Sequence, residues 1–139
     1  MDRQRGFTLI ELLIAIAVVG LLAAVLVPNL LNARDRAFDT AAVSCLKQAS
    51  TTESDIQSST PFRYSQGTMD VTSLDACAPV VVATAAELDI AGQVVSQAAI
   101  DDGSAFAWRA FHPMGRRVYA VASGTGIVVI GDVPEGGSF

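Results

Sequence analysis

GFTLIELLIAIAVVGLLAAVLVPN fills residues 6–29, and its reading decides the architecture. From Leu12 to Leu31 the chain carries no charge over 20 residues, about 30 Å as a helix and a match to the hydrocarbon core of a bilayer. Glu11 breaks the pattern at the start of that run. An acidic side chain in such a segment costs on the order of several kcal/mol and is a functional-site hypothesis by default. Only MDRQRG precedes the run, with Arg3 and Arg5 on its short side. Those two cations favour a cytoplasmic N-terminus and place the bulk of the chain on the other side of the membrane. A secretory signal would end in a small-residue cleavage site. Here PNLLNARDRA follows instead, so the segment reads as a retained anchor.

The composition supports an anchor joined to a water-facing domain. Hydrophobic residues make up 51% of the 139-residue chain, with the excess concentrated before residue 32. About a hundred residues remain, enough for one small core. The chain has 14 Asp and Glu against 9 Lys and Arg; MDRQRG holds one of the acids and two of the bases, leaving 13 against 7. A nucleic-acid binder usually carries a basic footprint, which this balance does not provide. Cys45 and Cys77 are the two cysteines. They are read either as one disulfide, which small exported domains use to supplement a limited core, or as two buried free thiols.

RGFTLIELLIAIAVVGLLAAVLVPNLLNARDRA, residues 5–37, resembles the N-terminus of a type IV pilin precursor. In that family a prepilin peptidase cuts after a glycine and methylates the new N-terminus. The resemblance therefore implies cleavage between Gly6 and Phe7, with N-methylation at Phe7. It also implies an assembly role for Glu11, the acidic residue five positions after the cut, and for Gly20 and Pro28, which weaken the helix. Physics supports the Glu11 role independently, since a buried charge is tolerable when paired and costly when its partner is lost. The carboxylate of one subunit would neutralise the exposed amine of its neighbour. A glutamate snorkelling to the interface is the plainer alternative. Proline removes one helical hydrogen bond, and Gly lowers propensity by roughly 1 kcal/mol, so residues 20–28 are read as a stretch able to loosen.

After Pro28 an amphipathic pattern continues through Ala37, Phe38, Ala41, Ala42, Cys45, Leu46, Ala49 and Ile56, with Glu53 read off the stripe. The helix is predicted to run from Phe7 to about Gln57, ending at Ser58-Ser59-Thr60-Pro61. Beyond it, residues 93–100 and 104–112 are read as a hairpin around Asp101-Asp102-Gly103. Residues 117–123 and 127–132 complete a meander, with Phe106 and Trp108 facing the helix. A short helix around Ala83–Leu88 is expected in the connection, and PEGGSF is read as a frayed tail. A Cys45–Cys77 bridge would staple the connection to the helix, unlike pilins that bridge two C-terminal segments.

The expected fold is thus α+β. A long N-terminal helix, transmembrane in its first half, packs by its C-terminal half on a small antiparallel sheet, as in pilins. The expected division is a leader at 1–6, an assembly helix at 7–32 and a globular domain at 33–139. Enzyme chemistry has little material: His112 is the sole histidine, and no nucleophile–base pair or metal spacing stands out. Asp101, Asp102 and Asp132 are read as solvated turn acids rather than a calcium site. Neither cofactor nor metal is expected. Arg109, His112, Arg116 and Arg117, with Trp108 nearby, form a local basic cluster that could touch DNA phosphate, although a solvated strand end explains it better. The resemblance implies a filament subunit. Its partners would be other copies of itself, the prepilin peptidase, the inner-membrane assembly machinery and, before assembly, lipid. Adhesion, twitching motility or DNA uptake is the implied role, and the sequence does not separate them. A type II secretion pseudopilin is the alternative, and a minor DNA-binding pilin of a competence system is a third reading.

Overall fold

The computed structural model describes residues 7–60, 63–65 and 74–139. Helix α1 spans Leu9–Ser59, and a 3-10 turn covers Asp75–Cys77. Strands β1 (Val81–Thr84), β2 (Asp89–Ile90) and β3 (Gln93–Val94) precede a short helix α2 (Gln97–Asp101). Strands β4 (Ala107–Phe111), β5 (Arg117–Ala122) and β6 (Val128–Asp132) follow. The chain forms two compact units, residues up to Arg34 and Asp35–Phe139.

In the first unit α1 continues through Pro28. Proline leaves the Ala24 carbonyl without its usual donor, and the next side chain, Asn29, donates to the Val25 carbonyl at 3.4 Å. The apolar side chains of this unit are exposed all round, from Phe7 through Leu31. A helix apolar on every face needs lipid or other helices to cover it.

In the second unit α1 buries Ala42, Cys45, Leu46, Ala49 and Glu53, a stripe at helical spacing. The stripe faces a four-stranded antiparallel sheet of order β1-β4-β5-β6. Strand side chains alternate between faces, and both faces of this sheet are buried. Phe106, Trp108, Ala110 and Val121 join Leu46 on the helix side. Ala107, Ala120 and Ala122 point the other way, onto Ala85, Ile90, Val95 and Ile100. That second layer is made by residues 85–105. Leu46, Ile90 and Phe111 are fully buried, each contributing about 1.5–3 kcal/mol.

The long helix, its end at Ser59 and the β4-β5-β6 meander agree with the sequence reading, as does the orientation of Phe106 and Trp108. Four expectations are corrected. Residues 93–100 do not form a strand paired with 104–112; β4 pairs instead with β1, with Val82 opposite Ala110. The Asp-Asp-Gly sequence closes α2 rather than a hairpin. Ser96 caps the start of α2 by accepting from Ala99 N, and Asp102 is the C-cap. Gly103 follows with φ of 74°, the left-handed residue that commonly ends a helix. Residues 83–88 form no helix, because Val81-Val82 starts an edge strand that takes in Ala83 and Thr84. Finally, PEGGSF is anchored: the Phe139 ring meets Phe111 edge-on at 4.8 Å, and the Arg109 guanidinium lies 4.1 Å from its centre.

The hairpin of β2 and β3 turns through Ala91 and Gly92 at φ of 53° and 84°. Positive φ at both central residues is the type I′ geometry that matches strand twist. Gly115 begins the approach to β5 where a side chain would collide with Asp39, since a Cβ there would sit 2.6 Å from Oδ1. That oxygen accepts from Arg116 N at 2.8 Å and from Arg117 N at 3.3 Å, tying α1 to the β4–β5 turn.

Candidate assembly segment and the ties of the globular unit

The apolar helix begins with a reciprocal cap. Thr8 Oγ1 accepts from Glu11 N at 3.3 Å, while Glu11 Oε2 accepts from Thr8 N at 2.9 Å and from Thr8 Oγ1 at 2.7 Å. This is the capping box that Thr-x-x-Glu encodes, satisfying two donors that a helix start leaves orphaned. The sequence reading singled out Glu11 and passed over Thr8, although their spacing was the signal. Within one chain, then, Glu11 has a local partner in Thr8. Gly20 lies on an open surface, where an added Cβ would meet nothing within 4 Å. Phe7 is exposed, and Gly6 lies outside the described residues. The structure does not gather Glu11, Gly20 and Pro28 into one place; they are strung along a single helix.

Cys45 and Cys77 are joined in a disulfide across a separation of 32 residues. Cys45 comes from the buried stripe of α1, and Cys77 ends the 3-10 turn just before β1. A closed loop of this length contributes roughly 3–4 kcal/mol in the chain-entropy model.

Glu53 is the residue the sequence reading misplaced. It falls four positions after Ala49 on the same stripe and is completely buried. Its Oε2 accepts from Ser65 N at 2.9 Å, and its Oε1 accepts from Trp108 Nε1 at 3.2 Å and from the Ser65 hydroxyl. The carboxylate therefore joins helix, connection and sheet. Apolar periodicity could not find it, because a polar residue inside an apolar stripe looks like a break in the pattern.

The basic cluster does not survive as one surface. Arg116 Nε pairs with Asp35 at 2.7 Å. His112 is buried and stacks on Phe38 at 4.4 Å, with Nδ1 accepting from Met114 N. Trp108 is buried on the helix face, while Arg109 points to the opposite face beneath Phe139. Asp101 accepts from Gln97 Nε2 and Asp102 from Ser104 N, so both acids serve local turns. Asp132 is at the end of β6. Among the described residues no three His, Cys, Asp or Glu side chains come together as a metal site.

Comparison with known proteins bears on about a fifth to a third of the chain. Residues 1–27 match the family model for the prokaryotic N-terminal methylation motif. The type IV wide pilus major component of Thermus thermophilus is 59% identical over 49 residues, 35% of this chain and 37% of that protein. The type II secretion system core protein G of Escherichia coli is 46% identical over 43 residues, 31% of this chain and 30% of that protein. The type IV major pilin protein of Myxococcus xanthus is 47% identical over 45 residues, 32% of this chain and 20% of that protein. The matches thus span between a fifth and just over a third of these relatives' lengths. A long apolar helix that precedes a small antiparallel sheet thus begins within the prokaryotic N-terminal methylation motif, and over part of its length the chain is similar to type IV pilus components and to a type II secretion core protein.

Proposed function

We propose that the chain is a structural, non-enzymatic subunit of a type IV pilus filament. It is held in the inner membrane by residues 7–32 until assembly, then built into an extracellular fibre. The observation that carries this reading is a helix whose apolar side chains are exposed on every face and which is opened by the methylation motif. Prepilin peptidase cuts between Gly6 and Phe7 and methylates Phe7. The amine so exposed becomes a cation at the edge of an apolar helix bundle. Glu11 of an adjacent subunit then exchanges its Thr8 partner for that amine, setting the stagger between copies. Gly20 and Pro28 let the intervening helix loosen as subunits pack. Adhesion, twitching motility and DNA uptake are the functions such a fibre would serve.

A second reading, a type II secretion pseudopilin, is favoured by the similarity of the same segment to core protein G. Deleting the gene and scoring fibres, motility, secretion and transformation separates the two.

The test of the mechanism uses two variants. Mass spectrometry of purified fibres should find methylated Phe7 as the first residue. Glu11→Gln keeps the capping geometry, since glutamine serves equally in a capping box, but removes the charge. It should leave cleavage and membrane insertion intact and abolish fibres, because breaking a buried pair costs about 3–5 kcal/mol. Glu11→Ala should fail likewise. Normal fibres built from Glu11→Gln subunits alone would refute the charge-pairing step, and a mature chain starting after residue 31 would refute the filament reading.

A further inference from the structure

The layer on the far face of the sheet is acidic. Residues 64–108 contain six acids and no Lys or Arg. Four of those acids, Glu87, Asp89, Asp101 and Asp102, are exposed on the layer that covers the far face of the sheet. On the helix face, α1 and β5 border a groove formed by two cavities of about 500 and 360 Å³ that share Val43. The groove follows α1 from Arg36 to Thr51, about 22 Å along the axis. Arg36, Lys47 and Arg117 rim it, and Val43 and Val121 lie within it. The three cations are exposed and form no ion pair among the described residues. Asp39 is the one acid in the groove, and its Oδ1 is taken by the backbone N–H groups of Arg116 and Arg117. The groove is therefore positive in a chain whose net charge is −5.

The acidic layer carries a projection of matching character. In the β2–β3 hairpin, Val94 pairs with Asp89, and both stand out from the layer, Val94 with 57% of its surface exposed. Two antiparallel strands lie only about 5 Å apart, so the hairpin is a narrow ribbon. We propose that the groove receives the β2–β3 hairpin of a second copy of the chain, Val94 entering against Val43 and Val121 while Glu87 and Asp89 face Arg36, Lys47 and Arg117. The inference rests on the filament reading and specifies how the globular units join within it. Groove and hairpin lie on opposite faces of the sheet, so the contact is heterologous. A heterologous contact whose rotation does not close propagates as an open helical array.

The experiment uses the full chain in cells that assemble fibres, with Thr40→Cys in the groove and Val94→Cys on the hairpin, each in a separate copy. Co-expression under mild oxidation should give a reducible dimer in fibres, whereas either variant alone should give none. Fibres without that dimer, or a dimer from one variant alone, would overturn the inference and leave the filament reading standing. Absence of fibres from the unsubstituted chain would overturn the filament reading itself, and this inference with it. A second variant, Arg36→Glu with Arg117→Glu, places like charges across the contact. It should lower fibre yield by roughly tenfold or more at an unchanged membrane level; an undiminished yield would overturn the proposed contact.

Discussion

Substituting Glu53 measures what a buried carboxylate contributes to a small core. Every partner of Glu53 is a donor: Ser65 N on Oε2, and Trp108 Nε1 with the Ser65 hydroxyl on Oε1. In Glu53→Gln the amide must turn its NH2 toward one of the two positions. Toward Oε2 it confronts Ser65 N–H; toward Oε1 it confronts Trp108 N–H. Either way one N–H, buried at Trp108 or half-buried at Ser65, loses its acceptor, costing about 1–3 kcal/mol. Glu53→Leu orphans both N–H groups and should cost about 2–6 kcal/mol, a large share of a total stability of order 5–15 kcal/mol. Trp108 is the sole tryptophan, so denaturant unfolding of the detergent-solubilised chain followed by its fluorescence reads the site directly. A double-mutant cycle with Trp108→Phe, with all four proteins followed by far-UV circular dichroism because this substitution removes the fluorophore, should give a coupling of about 0.5–3 kcal/mol. If Glu53→Gln shifted stability by less than about 0.5 kcal/mol, the size of an ordinary surface change, the three-way tie would be a feature of packing without energetic weight.

Two further outcomes follow from particular residues. Ala91 holds φ of 53° in the β2–β3 turn, a conformation that is costly for residues other than Gly and Asn; Ala91→Asn should therefore gain about 0.5–1 kcal/mol in the same unfolding assay. Burial, with the Asp39 charge adding to it, pushes the Tyr119 phenol above its usual value near 10. The folded state thus favours the neutral phenol, and that stability, complete below pH 10, should be lost as pH rises through the folded value; Tyr119→Phe should flatten the alkaline limb of the stability profile.

The parts of the fold legible in the sequence were those with strong local signals. The uncharged run from Leu12 to Leu31, the helical stripe through Leu46 and the alternation in β4 and β5 each repeat a period long enough to be unambiguous. Asp101-Asp102-Gly103 misled because the same letters serve a hairpin turn and a helix C-terminus. Ser96, three residues before Ala99, was the N-cap that could have decided between them. The β1–β4 pairing joins residues about thirty apart, and no short-range pattern encodes which strand finds which edge. Ala91-Gly92 hid a hairpin because alanine is an unusual occupant of a left-handed turn position. For the assembly segment, Glu11 stood out by its improbability, whereas Thr8 was ordinary and needed its hydrogen bonds to be noticed. Glu53 was missed for the opposite reason, since burial at that position depends on donors from Ser65 and Trp108, far away in sequence.

The disulfide also has a mechanical meaning. Cys77 is followed within four residues by β1, which lies along β4, the strand beside it in the sheet. A pull applied along α1 is therefore carried through a covalent bond at Cys45 to the root of an edge strand. From there it passes to the pairing of β1 with β4, whose backbone hydrogen bonds share it, whereas helix side chains lifting from the sheet could yield one at a time. Tension on the helix thus reaches the sheet through the covalent chain as well as through side-chain packing.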